Sequence, residues 1–456
     1  MITYDVAIVG SGPAGNAVTH TLLGHGLKVL WIEEGKPQPD YQPFSSSEII
    51  GKYRNSGQKM ILSRPPVPIG EPLAIGGGLD INAGIFQRPL KETYQGWNIS
   101  THPEWSWQKV TQEFDKLESD LQVSLPASNH DTMTVLMKKG AANLGWNFKS
   151  VPVVNLSQRR LYVNSNIHKT LQEGGSFQSS TRLHSLHKQS GSWMLACEQQ
   201  GRQVKFKAKK VFLAAGTLQT PNILFRSGLG PRVSSTFSYH PMVKVIAEFE
   251  QEMTTEKVAI SSIQIKEFSP GITLGASVSS KSSILTELMK AGVVDPVILK
   301  KFNSQMMFYC TTSGSPKTYL YNLSSNAGPL AFSFQSQVSS ELCLAIEKLV
   351  TFCFSMGAKR VYLGDSILTS AASAQKYLKA KTPPVTVVHL FSSMPMNQKK
   401  DSLINCEGCL RNTEGIYVVD ASAMPGSPAV NPQELVMAMA QRIAKIALEK
   451  GAFCEN

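Results

Sequence analysis

YDVAIVGSGPAGNAVTHTLLGHGLKVLWIEEG, residues Tyr4–Gly35, places a strand, a glycine turn, a helix and a second strand in immediate succession. Tyr4–Val9 alternates and runs apolar, as a half-buried strand does. Gly10, Gly12 and Gly15 follow in the spacing G-x-G-x-x-G, and the helical run after them stops at glycine. LKVLWI is the second apolar strand, with Glu33 at its end. Glycine lets the backbone approach a pyrophosphate closely, and a helix start offers N–H groups and the positive end of a dipole. A carboxylate at the end of the second strand is placed for a ribose hydroxyl. A purely structural glycine turn would explain the glycines but not the strands and the acid around them. The stretch therefore predicts an α/β, Rossmann-like dinucleotide-binding domain and leaves NAD and FAD both open.

The whole chain of 456 residues is 42% hydrophobic and 17% charged, long enough to enclose a large cofactor. Its 45 Lys and Arg against 33 Asp and Glu give a formal charge of +12. These cations fall in short groups, QRR from Gln158, KFKAKK from Lys205 and QKK from Gln398, with no stripe interleaved with aromatics. Nucleic acid is therefore not expected as a partner. No apolar run reaches the roughly twenty residues of a membrane helix, and MITYDVAIVG enters a strand at once; no transmembrane segment and a cytoplasmic location are expected. The seven cysteines are odd in number and scattered, which favours a reducing compartment over a disulfide framework. Cys406 and Cys409 form a lone CxxC without a second pair, which reads as a turn, and no metal site is expected.

A second stretch, KAKKVFLAAGTLQTPNILFRSGLG from Lys207, starts as a strand at Val211–Ala215 and turns at Gly216. Thr220 suits a helix N-cap, Pro221 the first helical position, and Gly228 a left-handed stop. Its full spacing resembles the second signature of the glucose-methanol-choline (GMC) flavoprotein oxidoreductases. Three further stretches agree with that family in the same order: AIGGGLDINAGIFQRP from Ala74, VVHLFSSMPM from Val387, and VVDASAMPGSPAVNPQELVMAMAQ from Val418.

The resemblance implies FAD as cofactor, in a domain discontinuous in sequence that gathers residues 1–90, 150–232 and 386–456. Residues 91–149 and 233–385 would form an antiparallel-sheet substrate domain and its connections. Within it, MVKVIAEFE and VAISSIQIKEF read as strands, SILTELMKAGVV as a helix, and the run from Ser339 to Gly364 as a helix, a glycine stop and a strand. FQSSTRLHSLHKQSGSWMLACEQQGRQVKFKA reads as consecutive strands turning at Gly191 and Gly201.

Oxidising an alcohol by hydride transfer to flavin N5 requires a base for the hydroxyl proton, and histidine is suited to it near neutral pH. Of nine histidines, His389 carries the family's following spacing, so the resemblance makes it the base and Asn431 its partner at the substrate oxygen. His240, in YHP, stands at a family-like position where a structural role is expected. The sequence around Asn431 also fits an ordinary N-cap for the helix that carries Leu435, Val436, Met439, Ile443 and Ile446. By the same resemblance Gly76, Gly77 and Asn82 lie beside the flavin, and backbone near Leu183 meets the adenine. Asp420 and Ala421 face the pyrophosphate and ribityl side, and Pro432 and Gln433 face the flavin N1 and C2 edge. Leu79 and Asp80 depart from the small residues usual in the glycine-rich stretch and bring a charge near the flavin entrance. Thr101 and His102 resemble a covalent flavin attachment pair but come too late in the chain, so noncovalent FAD is expected. The expected substrate is a sugar, polyol or other small hydroxylated compound, with oxygen or another electron acceptor. A hydroxynitrile-lyase-like enzyme and a flavoprotein without turnover are the alternatives on the same scaffold.

Overall fold

The computed structural model describes residues 2–37, 51–125, 132–234, 236–252, 263–290, 292, 301–324 and 328–453. Among them two sheets organise the chain. In the first, Thr3–Val9 pairs in parallel with Val29–Ile32 on one side and Arg202–Leu213 on the other. Val29–Ile32 continues in parallel to Ser176–Gln178, and Ile416–Val418 joins Arg202–Leu213. Three distant stretches of sequence thus build one cofactor-type sheet. The antiparallel run Thr181–Gln189, Ser192–Gln199, Arg202–Leu213 extends it, turning at Gly191 and Gly201 as expected. Val6, Ala7 and Ile8 are fully buried, which is why this parallel strand is so apolar.

The second sheet is larger. Ser238–Glu248 pairs antiparallel with Gln305–Thr312 and with Val385–Phe391. Two pairings are parallel: Leu330–Ser336 with Lys59–Arg64, and Val385–Phe391 with Val67–Ile69. The expected antiparallel sheet is therefore mixed. The reason is connectivity, since these strands are separated by long stretches of chain, and parallel neighbours need such crossovers. Lys59–Arg64, Val67–Ile69 and nearly all of Val385–Phe391 come from segments expected in the cofactor-binding domain, yet they are strands of this second sheet. Ile263–Ile265 supplies part of the strand expected over VAISSIQIKEF, whose residues before 263 lie outside the described ones. The helix expected over SILTELMKAGVV is Lys281–Lys290, with residues 291, 293 and 294 outside the described ones. Ser340–Ser355 buries Leu342, Ala345, Ile346, Leu349 and Phe352, a helical stripe, against this sheet's core, and Arg360–Leu363 follows as predicted.

The helix predicted to begin at Thr220 begins four residues earlier and spans Gly216–Arg226, with Pro221 inside it. A proline there has no N–H for the carbonyl of Thr217. The hydroxyl of Ser393 donates to that carbonyl at 2.6 Å, and Thr220 donates its hydroxyl to Asp420 instead of capping. Tertiary partners thus replace the local ones. Gly228, at φ +71°, ends the helix as expected. The last helix, Gln433–Glu449, is buried on almost every side between Pro13–Leu22 and Trp107–Asp120.

Candidate active site

The glycine turn is shaped by what each missing Cβ would meet. At Gly10, with φ +106°, it would stand 2.3 Å from the carbonyl oxygen of Ala214; at Gly15 it would stand 1.9 Å from that of Gly10. At Gly12 it would meet nothing within 4 Å, so this glycine borders open space at the start of the helix Pro13–Leu22. Two glycines permit backbone packing and the third leaves room for a ligand, which fits a dinucleotide pyrophosphate. Gly77 closes over the same turn, its absent Cβ 2.9 Å from Gly12 Cα. Ser11 ties the parts together: its N–H and hydroxyl each donate to Glu33 at 2.7 Å, and its oxygen accepts from the N–H of Gly76 at 2.9 Å. Glu33 also accepts from the N–H of Gly35 at 2.6 Å. Burial raises the pKa of its carboxyl, against the pull of these donors.

A second joint brings distant segments to this turn. The strand Val385–Phe391 runs on into Ser392, Met394 and Met396, whose N–H groups donate to the carbonyls of Ala421, Ser422 and Ala423. Asp420 fixes the other side, accepting from the N–H of Gly216 at 2.8 Å and from that of Ser422 at 2.8 Å. Burial raises its pKa, again against these donors. Past Ala423 the chain squeezes by the indole of Trp97, 2.9 Å from where a Gly426 Cβ would sit, and turns at Ala429 with φ +57°. That left-handed conformation costs a non-glycine residue energy and sits two residues before Asn431.

Here the two predicted side chains meet. Asn431 Nδ2 lies 3.4 Å from His389 Nε2. Asn431 Oδ1 accepts from Gln264 Nε2 at 3.3 Å, and Gln264 also donates to Tyr309 at 2.8 Å. Asn431 is therefore no N-cap; the helix start at Gln433 has no side-chain cap, and the amide is turned into the cleft. On the far side, His389 Nδ1 lies 3.1 Å from Nδ1 of His240, whose Nε2 lies 2.8 Å from the Ser427 hydroxyl. A register shift makes this contact, because between Tyr239 and Pro241 one residue of Ser238–Glu248 stands against two of Val385–Phe391. Burial pushes His389 down to about 4. His240 is also pushed well below its ordinary value, first by burial and then by the charge of His389.

His389, Asn431, Gln264 and Tyr309 line one cleft, which is open to solvent. At the flavin-facing edge expected for Gln433, its side-chain oxygen accepts from Asn82 Nδ2, while its buried Nε2 has no partner among the described residues. Asn82 Oδ1 in turn accepts from Arg159 at 2.6 Å and from the N–H of Gly84 at 2.8 Å. A buried donor left free beside Asn82 fits a polar acceptor on a bound flavin.

Two models of the family described as GMC oxidoreductase match the chain, one over residues 52–160 and 154–242 and the other over 341–440, more than half of it between them. This chain belongs to the GMC oxidoreductase family. A GMC-type oxidoreductase of Sinorhizobium fredii is 26% identical across 97% of this chain and 94% of its own length. The 5-(hydroxymethyl)furfural oxidase of a Methylovorus species is 20% identical across 98% of each chain. Among solved structures, pyridoxine 4-oxidase from Mesorbium loti superposes with a TM-score of 0.72 at 16% identity, over 97% of this chain and 98% of the other. The split, FAD-type domain and the large mixed sheet are thus those of the GMC fold.

Other expected GMC positions fall as follows. Leu183 is buried on Thr181–Gln189 and its carbonyl accepts from Arg226 at 3.3 Å. Asp80 is buried and paired with Lys52 at 2.5 Å and Arg160 at 2.8 Å, so the unusual charge of the glycine-rich stretch is compensated. His102 Nδ1 accepts from the N–H of Glu104 as a helix cap. Around Cys406 and Cys409 the side chain of Asn405 accepts from the N–H groups of Glu407 and Cys409, which makes the CxxC a turn. Sequence reasoning gave His240 a structural role and passed over Gln264. For Gln264 the one available signal is a polar residue between two buried isoleucines.

No helix of the described residues is long and apolar enough to cross a membrane.

Proposed function

We propose that this chain is an FAD-dependent oxidoreductase that oxidises a CH–OH group of a small alcohol, with His389 as base and Asn431 orienting the substrate oxygen. The observation that carries the reading is the 3.4 Å approach of Asn431 Nδ2 to His389 Nε2 within a cleft. The name of the Methylovorus relative, an oxidase of a hydroxymethyl compound, supports an alcohol substrate. Gly10, Gly12, Gly15 and the start of Pro13–Leu22 would hold the pyrophosphate, Glu33 the ribose and backbone near Leu183 the adenine. Gly77, Asn82, Pro432 and Gln433 would border the flavin. Gly216, Asp420 and Ala421 would frame the ribityl side, mostly through backbone, because the carboxylate of Asp420 is already engaged.

Bound FAD supplies the hydride acceptor. The chain supplies the proton path. For His389 to take the hydroxyl proton at Nε2, its own proton must sit on Nδ1 and be donated to Nδ1 of His240. His240 then carries its proton on Nε2 and donates to the oxygen of Ser427, so the three contacts select one tautomer at each ring. Asn431 has its oxygen held by Gln264, which leaves its N–H groups to donate to the substrate oxygen, while the single lone pair of His389 Nε2 is kept for the hydroxyl proton. Since burial holds His389 near 4, the ring is neutral and able to accept above that pH.

The cofactor is held without a covalent bond, a reading supported by the late position of Thr101 and His102 in the chain. Acid precipitation should release all the flavin into the supernatant. The function is tested by mixing the holoprotein anaerobically with a panel of alcohols. Bleaching of the visible flavin band is expected; a panel that leaves the band intact while a hydroxynitrile is cleaved would move the assignment to a lyase.

A further inference from the structure

The cleft that holds His389 and Asn431 is also lined by Lys266 and Thr273. Lys266 follows the strand Ile263–Ile265, and its N–H is tied to the carbonyl of Asn147 at 2.9 Å, which fixes where the side chain starts. Among the described residues its ammonium has one hydrogen-bond partner, the neutral hydroxyl of Thr273 at 3.4 Å. Among the described residues no carboxylate lies within ion-pair distance of it. Glu267 beside it is engaged by the N–H and side-chain amide of Asn147 at 3.0 and 2.7 Å. Glu341, from the start of Ser340–Ser355, stands against Gly271 at the cleft wall and makes no ion pair with Lys266. The other charged group acting on Lys266 is Lys149, of the same sign. Tyr309, His240 and His389 complete the titratable groups facing the cleft.

An ammonium half withdrawn from water without a counter-ion is costly, and burial, helped by Lys149, pushes Lys266 down to about 8. At neutral pH it is still charged. A ligand anion would restore what folding removed, through a charge-assisted hydrogen bond.

We propose that the cleft selects alcohols that carry an anionic oxygen group, a carboxylate in the first instance, which pairs with Lys266 while the carbinol lies at His389 and Asn431. The inference rests on the alcohol-oxidising reading of the same cleft, yet it can fail separately. A hydroxymethyl-substituted small acid is the simplest molecule that carries both groups.

Two measurements on the holoprotein test it. In calorimetric titration at pH 7, benzoate is expected to bind about 10- to 100-fold tighter than benzamide. The preference should vanish in Lys266→Met, survive in Lys266→Arg, and decline as pH rises above about 8, where the ammonium loses its proton. In anaerobic flavin reduction, 4-(hydroxymethyl)benzoate should show a kcat/KM about 10- to 100-fold above that of 4-methylbenzyl alcohol, with Lys266→Met removing only that advantage. Its pH profile should have an acid limb near 4 and a basic limb near 8, whereas the neutral alcohol should show the acid limb alone. A hydroxymethyl phosphonate in the same assay decides whether the preferred anion is a carboxylate or a phosphorus oxyanion. Equal affinities for benzoate and benzamide, or an equal loss for both alcohols in Lys266→Met, would overturn the inference. Benzoate binding through Lys266 with no bleaching by any alcohol would leave the anion pairing at Lys266 standing and sink the proposed function instead. The melting temperature and flavin spectrum of each variant report whether it has folded.

Discussion

In the glycine cradle the groups offered to a ligand are backbone N–H groups, all within the six residues Gly10–Gly15. In the cleft they are side chains, His389, Asn431, Gln264, Tyr309 and Lys266, drawn from three strands and two loops. The two regions therefore break in opposite ways. A backbone site is spoiled by atoms added to it, because a new Cβ meets either neighbouring backbone or the ligand's own space. A side-chain site is spoiled by atoms removed, since the scaffold around it does not depend on them.

The largest effect tests the cleft. His389→Ala is expected to slow anaerobic flavin reduction by about 10²- to 10⁴-fold while the flavin absorbance of the purified protein is unchanged. In the unmodified protein kcat/KM for a neutral alcohol should rise with pH through about 4 and level off, because His389 accepts a proton only when neutral. Retained reduction in the variant would mean the base lies elsewhere.

Next come the glycines, which sharpen the contrast within the cradle itself. Gly15→Ala puts a carbon 1.9 Å from the Gly10 carbonyl oxygen and should cost about 3 kcal/mol, roughly a hundredfold in the folding equilibrium, read by denaturant unfolding. Gly12→Ala adds the same carbon to open space. Its apoprotein should unfold as the parent does, while FAD affinity drops about 10-fold because the pyrophosphate must back away from the turn. Equal stability losses for both variants would show that the cradle does not distinguish packing from ligand space.

The smallest effect lies between the regions. Ser393→Ala leaves the Thr217 carbonyl, already deprived of a donor by Pro221, without a partner. It should lower stability by about 1 kcal/mol, near fivefold in the equilibrium, with flavin reduction unchanged.

How far each region could be read follows from the same difference. The cradle was legible because strand, glycines, helix and Glu33 are neighbours in sequence, and each obeys a local steric or electrostatic rule. The family resemblance named His389 and Asn431, but nothing local separated Asn431 from an N-cap. Its amide turns away from the helix only because Gln264 and His389 hold it. His240 was legible as a buried residue and not as a neighbour of His389, because a register shift between two strands more than a hundred residues apart aligns them. The helix start misplaced at Thr220 has the same origin, a distant Asp420 and Ser393 outbidding the local cap.

By itself the sequence determined the α/β cradle, its glycine geometry and, through motifs of fixed spacing, the GMC family and the proposed roles of His389 and Asn431, since these follow from short-range sterics and from runs of adjacent residues. Only the tertiary structure decided that the large sheet is mixed, that His240 backs His389, and that Lys266 enters the same cleft with no counter-ion among the described residues. Those facts depend on which strands pair and in what register, and pairing across long loops is fixed by burial of the whole core rather than by any run of adjacent residues.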